Sequence, residues 1–200
     1  MIEITWLGHG TFQLKLENGE IVLIDPWING NPKSPHGFKI DHIDTMLITH
    51  GHFDHIGAVT DLREATHAPV ALHPLEDDWL AANGGAELFG LKIRAVAAPD
   101  LALAHGQIVE VGALNFETRF TPGHTRGHVV FVEHAQRAVF AGDVLFAGSI
   151  GRTDLPGGDS DTLIASIRDQ LLSLPDEFKV YPGHGPPTTI GAERQFNPFL

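Results

Sequence analysis

The 200-residue chain has no cysteine, which excludes disulfide scaffolds, thiolate metal sites and cysteine nucleophiles. Positive charge is scarce: 13 Lys and Arg stand against 25 Asp and Glu, a formal net charge of −12. No basic face for nucleic-acid phosphates is therefore expected. No apolar run approaches the ~18 residues of a membrane span. The opening Met-Ile-Glu-Ile-Thr-Trp lacks the basic region of a signal peptide and reads as a strand. The expected setting is the cytoplasm, away from membrane and nucleic acid, with a small-molecule partner; the oligomeric state is left open. Histidine, by contrast, is abundant, at 13 residues. An acidic chain rich in histidine suits one that holds metal cations, whose charge a formal count omits.

The length fits a single domain over residues 1–200, on a prior of ~100–200 residues per domain. Residues 2–7 and 11–17 alternate apolar and polar side chains, and Asn18-Gly19 predicts a two-residue hairpin turn into 20–25. Residues 26–42 form a long loop rich in Gly and Pro. Further strands are expected over 44–49, 70–73, 107–111, 113–120, 129–133, 137–141 and 178–181, with a hairpin at Ala135-Gln136. Helices are expected over 58–66 and 75–83. The clearest helix follows Asp159, with Leu163, Ile164, Ile167, Leu171 and Leu174 on one face and Asp159, Ser160 or Asp161 as the cap. Many strands with interspersed helices imply an α/β fold of two sheets flanked by helices.

The chemistry concentrates in His50-Gly51-His52-Phe53-Asp54-His55, which follows an apolar strand. Alternate residues of an extended loop face one way, so His50 and His52 can share one ion while Asp54 and His55 face an adjacent one. Four residues cannot complete two metal sites. Three further candidates end strands and follow glycines: His124 in Pro-Gly-His, Asp143 in Ala-Gly-Asp and His184 in Pro-Gly-His. Imidazole and carboxylate ligands accept zinc, iron or manganese.

These residues, with the segments Thr121–His128, Ala141–Asp154 and Tyr181–Thr189, resemble the metallo-β-lactamase-fold hydrolase superfamily. From about residue 60 the chain is similar to short glyoxalase II-like hydroxyacylglutathione hydrolases. Trp6–Phe12, Ile24–Trp27 and Gly30–Pro32 look more like the ascorbate-phosphate-lactonase-like branch. The chain thus reads as a mosaic with a junction near residues 45–65, natural or engineered. The resemblance implies an αββα sandwich of two mixed sheets. It implies His50, His52 and His124 on one metal, Asp54, His55 and His184 on a second, and Asp143 bridging them. Zinc is the expected metal, with iron or manganese as alternatives. Arg152 falls where the family places a cationic substrate contact. Asp25 is expected behind a ligand imidazole as its hydrogen-bond partner, and His128 behind the metal ligands rather than among them.

The expected reaction is hydrolysis by a metal-bridging hydroxide, with Asp54 as the catalytic carboxylate that orients it. The expected substrate is a thioester such as S-lactoylglutathione. The chain stops soon after His184, so the C-terminal glutathione-binding domain of long glyoxalase II enzymes is expected to be missing. The rivals are hydrolysis of a lactone or phosphodiester, a mono-iron persulfide dioxygenase, and a chimera that binds metal with little activity. His9 is open between a site role and a structural one. Trp27, Phe38 and Trp79 line a rim or pack in the core, and core packing is favoured for Trp79. His36, His42, His67, His73, His105 and His134 are read as surface or loop residues.

Overall fold

A computed structural model describes residues 2–35, 40 and 42–200; the expectations for His36 and Phe38 lie outside the described residues. The chain divides into two compact units, Met1–Leu103 with Val111–Ala113, and Ala104–Glu110 with Leu114–Leu200.

In the first unit the alternating N-terminal segments become an antiparallel meander of β1 (Glu3–Trp6), β2 (Phe12–Lys15) and β3 (Ile21–Ile24). The turn between β2 and β3 differs from the two-residue expectation. Leu16 N–H donates to the Glu20 carbonyl (2.9 Å) and Gly19 N–H to the Leu16 carbonyl (3.0 Å). The loop is therefore Glu17-Asn18-Gly19, with Gly19 at φ +91°. A type I turn closed by a left-handed glycine is the usual three-residue solution, and it moves the glycine one place from where a two-residue turn needs it. The sheet continues in parallel through β4 (Thr45–Leu47), β5 (Val70–Leu72) and β6 (Leu101–Ala102). Its core gathers Leu23, Met46, Ile48, Ile56, Val59, Val70 and Leu72.

Helices α1 (Phe53–Ile56) and α2 (Val59–Thr66) follow β4. The helix expected over 75–83 is instead a 3₁₀ turn, Pro74–Glu76, running into α3 (Asp77–Ala81). Gly84 and Gly85 then turn left-handed, at φ +63° and +71°, which no continuing helix tolerates.

The second unit carries a sheet ordered β14-β13-β10-β9-β8-β7. Its strands are β7 (Ile108–Val111), β8 (Leu114–Phe120), β9 (Val129–Glu133), β10 (Ala138–Gly142), β13 (Lys179–Pro182) and β14 (Thr188–Thr189). Between them β11 (Leu145–Phe146) and β12 (Ser149–Ile150) form a small hairpin. β9 and β10 are buried at every position, as unbroken apolar runs require. The expected hairpin between them has a four-residue loop, because Ala138 pairs with Glu133 and Arg137 N–H returns to the His134 carbonyl.

The amphipathic helix after Asp159 forms as α4 (Ser160–Ser166). It then widens into a π-helical turn, Ile167–Leu171, where Leu172 N–H reaches the Ile167 carbonyl at 2.9 Å. Leu163, Ile167, Leu171 and Leu174 are buried against Val130, Val139 and Val180, whereas Ile164 is only half-buried. The C-terminal α5 (Ile190–Phe196) completes the unit.

Of the three candidate caps, Asp159 is the one used: its carboxylate accepts the Thr162 amide at 2.7 Å. The Thr162 hydroxyl and amide together hold the Asp159 carboxyl below its ordinary value of 3.8. A depressed folded-state pKa stabilises above the unfolded value and stops doing so as pH falls through the folded one. Asp159→Ala is expected to lower the melting temperature at pH 7, and the gap to wild type should narrow at pH 3. A gap that stays constant with pH would separate the cap from its charge.

Both sheets deliver chemistry at the carboxyl ends of strands. In the first, β3 and β4 run parallel, so Asp25, which follows β3, and Thr49-His50, which follows β4, leave one edge together. In the second, β10 is parallel to β13 and antiparallel to β9, which is antiparallel to β8. β8, β10 and β13 therefore point the same way. The Gly-His, Gly-Asp and Gly-His dipeptides beyond them share one edge, the usual place for function in sheets with parallel strands.

Candidate metal centre

In the first unit His50 follows β4, and His52 takes the N-cap position of α1 at φ −70°, ψ 151°. His50 Nε2 and His52 Nδ1 lie 3.1 Å apart. This is close to the ~3.3 Å between two nitrogens each ~2.0 Å from one tetrahedral ion. Asp54 and His55 do not lie on the extended loop expected for them; they sit in the first turn of α1. The helical turn does not take His55 away from His50: their ring centroids lie 4.0 Å apart, against 4.7 Å between His50 and His52. His50, His52 and His55 are buried, and Asp54 is half-buried.

Asp25 lies behind His55 as expected. Its Oδ2 is 2.8 Å from His55 Nδ1. Its carboxylate also accepts the Thr49 amide (2.7 Å) and hydroxyl (2.6 Å). The bond fixes the His55 tautomer and leaves Nε2 as the atom able to meet a cation. Burial pushes the Asp25 carboxyl above its ordinary value, against the opposing effect of His55 and the Thr49 bonds. Asp25 holds a left-handed backbone at φ +48°, a cost borne where the residue is needed in place.

In the second unit His124 Nδ1 donates to the Arg152 carbonyl at 2.7 Å, which again leaves Nε2 as the outward nitrogen. Asp143 Oδ2 is 3.2 Å from His184 Nε2 and 3.7 Å from His124 Nε2. His128 Nε2 accepts the Asp143 amide at 3.1 Å, and its Nδ1 meets the Thr121 hydroxyl at 3.1 Å. His128 thus holds Asp143 by its backbone, behind the acidic group. Arg152 is exposed, and its guanidinium grips Asp154 through two bonds of 2.6 and 2.7 Å. That grip holds the Asp154 carboxyl at about 2.

Among the described residues, the His and Asp side chains grouped closely enough to hold a metal ion are His50, His52, Asp54 and His55 in the first unit, and His124, Asp143 and His184 in the second. The donor set fits divalent cations: carboxylates together with imidazoles, of which His50, His55 and His124 engage Nδ1 elsewhere.

Outside these sets, His9 stacks on Trp27 with ring centroids 4.7 Å apart, and its carbonyl accepts from the Trp6 indole. Trp27 and Trp79 are buried, and the Trp79 ring meets His52 edge-on at 4.3 Å. His42 pairs with Asp44, and His134 with Glu117. His67 caps α2, His73 caps the turn before α3, and His105 accepts the Phe120 amide. Sequence reasoning missed Thr49 and Glu76. Glu76 is completely buried, and its Oε2 accepts the Gly51 amide at 2.7 Å. Within Pro74-Leu-Glu-Asp-Asp it looks like one more acid in a helical first turn, so no local signal marks it.

The family model described as Metallo-beta-lactamase superfamily matches residues 14–184. The probable metallo-hydrolase YqgX of Bacillus subtilis (strain 168) is 46% identical over 158 residues, covering 78% of this chain and 74% of that protein. The hydroxyacylglutathione hydrolase GloC of Haemophilus influenzae is 43% identical over 169 residues, covering 81% of this chain and 80% of its own. The crystal structure of TTHA1623 in a di-iron-bound form matches with a TM-score of 0.81 at 39% identity and covers 100% of both chains. That match runs through residues 45–65, and none of these comparisons confirms a mosaic junction there.

Proposed function

The chain belongs to the metallo-beta-lactamase superfamily, and from that premise we propose that it is a binuclear metal-dependent hydrolase of thioesters, of which S-lactoylglutathione is the model substrate. In this reading His50, His52 and His124 would hold one divalent ion, Asp54, His55 and His184 a second, and Asp143 would be shared between them. Zinc is the proposed metal, and the di-iron relative makes iron the second to test. Such ions, when bound, supply Lewis acidity and bring water's pKa toward ~7.

The chain's own residues do the positioning. Asp25 and the Arg152 carbonyl orient His55 and His124 by their Nδ1 atoms. His128 anchors the Asp143 backbone. Asp54, half-buried in the first turn of α1, would orient the attacking water and take its proton. A thiolate leaves without strong acid assistance, so no further acid is required of the protein. Arg152 receives a substrate carboxylate in exchange for Asp154, a like-for-like swap of bidentate partners.

The observation that carries the thioester assignment is the 43% identity to a hydroxyacylglutathione hydrolase across 81% of this chain. The test is steady-state hydrolysis of S-lactoylglutathione by protein loaded with two equivalents of zinc, beside Asp54→Ala. Turnover that disappears in the variant is the expected result. A folded, metal-filled protein without turnover would remove the thioester assignment and leave lactones and phosphodiesters as the next substrates. Oxygen consumption with a single iron would indicate a persulfide dioxygenase.

A further inference from the structure

Glu76 lies outside every motif above, yet it is completely buried and spends a carboxylate oxygen on one backbone amide of the metal-ligand loop, Gly51 N–H at 2.7 Å. Gly51 is the single residue between His50 and His52. The approach from the 74–89 segment is close at three points. A Cβ at Gly51 would stand 2.7 Å from Trp79 Cβ and 3.0 Å from Glu76 Oε2. The Trp79 ring abuts His52 edge-on. A Cβ at Gly84 would stand 2.4 Å from Phe53 N and 2.9 Å from the Gly51 carbonyl oxygen. The turn that carries Glu76 is itself preset: Pro74 opens it, and the His73 ring accepts the Leu75 amide at 3.3 Å.

We infer that Glu76 is a positioning residue for the His50–His52 pair, acting through the Gly51 peptide. Pinning the Gly51 amide fixes the peptide plane through which the two imidazoles are related, and so their 3.1 Å nitrogen spacing. Without that acceptor, glycine's wide backbone freedom would let the pair splay before a cation arrives. Preorganisation of this kind shows as metal affinity, where partners behind the ligands typically matter ~10–100-fold. The inference rests on the reading that His50 and His52 ligate metal.

The test uses Glu76→Gln, Glu76→Asp and Glu76→Ala, with zinc affinity measured by chelator competition and melting of the metal-free protein measured alongside. Gln keeps an acceptor at the same reach without the charge. Asp keeps the charge but withdraws the oxygen by ~1.5 Å, beyond hydrogen-bond distance. Positioning predicts that Gln binds zinc much as wild type does, while Asp weakens binding ~10–100-fold, as Ala does. Metal-free melting of Gln and Asp should differ far less than their affinities. Asp at wild-type affinity with Gln as weak as Ala would assign the effect to charge and overturn the proposal. So would an Ala variant that binds zinc normally. If Ala fails to fold, the Gln and Asp pair decides alone. A wild-type protein that binds no zinc fails in its own arm and overturns the metal reading first.

Discussion

Asp143→Ala is expected to lower kcat/KM by at least ~10³-fold, about 4 kcal/mol of transition-state stabilisation, and to leave the purified protein short of its full metal complement. The reason lies in what this carboxylate faces. Its Oδ2 stands within 3.2 Å of His184 Nε2 and 3.7 Å of His124 Nε2, so two imidazoles from separate strand ends converge on one anionic oxygen. If Asp143 is shared between the two proposed ions, its loss would take donor charge from both. The backbone of the variant should hold, because the Asp143 amide that donates to His128 Nε2 is retained. Metal content by elemental analysis, together with turnover of the model thioester, checks this. Wild-type metal content with wild-type turnover would refute the bridging role.

Gly123→Ala is expected to destabilise the fold by about 3 kcal/mol or more, at the upper end of single-substitution effects. For a chain of this length that corresponds to a melting temperature lower by about 6–12 °C. Gly123 has φ +128°, and a Cβ there would lie 2.3 Å from Leu163 N and 2.4 Å from Leu163 Cα. The neighbour is helix backbone, not a flexible side-chain end, and it cannot yield without moving α4. That helix is tied to the same spot, since Asp159 N–H donates to the Gly123 carbonyl at 2.8 Å. Gly148→Ala is the control, with φ +69° and nothing within 4 Å of the added methyl. It should cost only the ~1 kcal/mol of a left-handed alanine. Urea denaturation of the two variants separates steric from conformational cost, and equal midpoints would refute the packing argument. His124 is the next residue, so Gly123→Ala is also expected to reduce metal loading.

The elements that sequence patterning read well are those whose burial is one-sided or complete. β9 matches its expected bounds of 129–133, and Leu163, Ile167 and Leu171 of the helix after Asp159 are buried as their spacing implies. The misreadings fall where backbone detail decides. Asn18-Gly19 signals a turn in either register, and only the pairing of Lys15 with Ile21 shows that the loop has three residues. The stretch 75–83 has helical composition, but the Pro74 start and the left-handed pair Gly84-Gly85 leave room for only one turn of 3₁₀ and a short α-helix. Period two at His50 and His52 predicts an extended loop for Asp54 and His55 as well, but the chain changes to helix at Phe53.

Ligand chemistry needs particular atoms, so the amino-acid sequence by itself determined which side chains can meet a cation: a dense His-Asp cluster and three Gly-His or Gly-Asp strand ends. It also determined the family, through motifs spread over most of the chain. Only the tertiary structure decided what stands behind those side chains. Asp25 is expected behind an imidazole from the family resemblance, but Glu76 reaches Gly51 across 25 positions and the Arg152 carbonyl reaches His124 across 28 only through the fold. Such partners need only an oxygen at the right distance, which nearly any polar residue or carbonyl can supply. Their identity is therefore set by how the chain brings its strand ends together, and composition and spacing carry no trace of it.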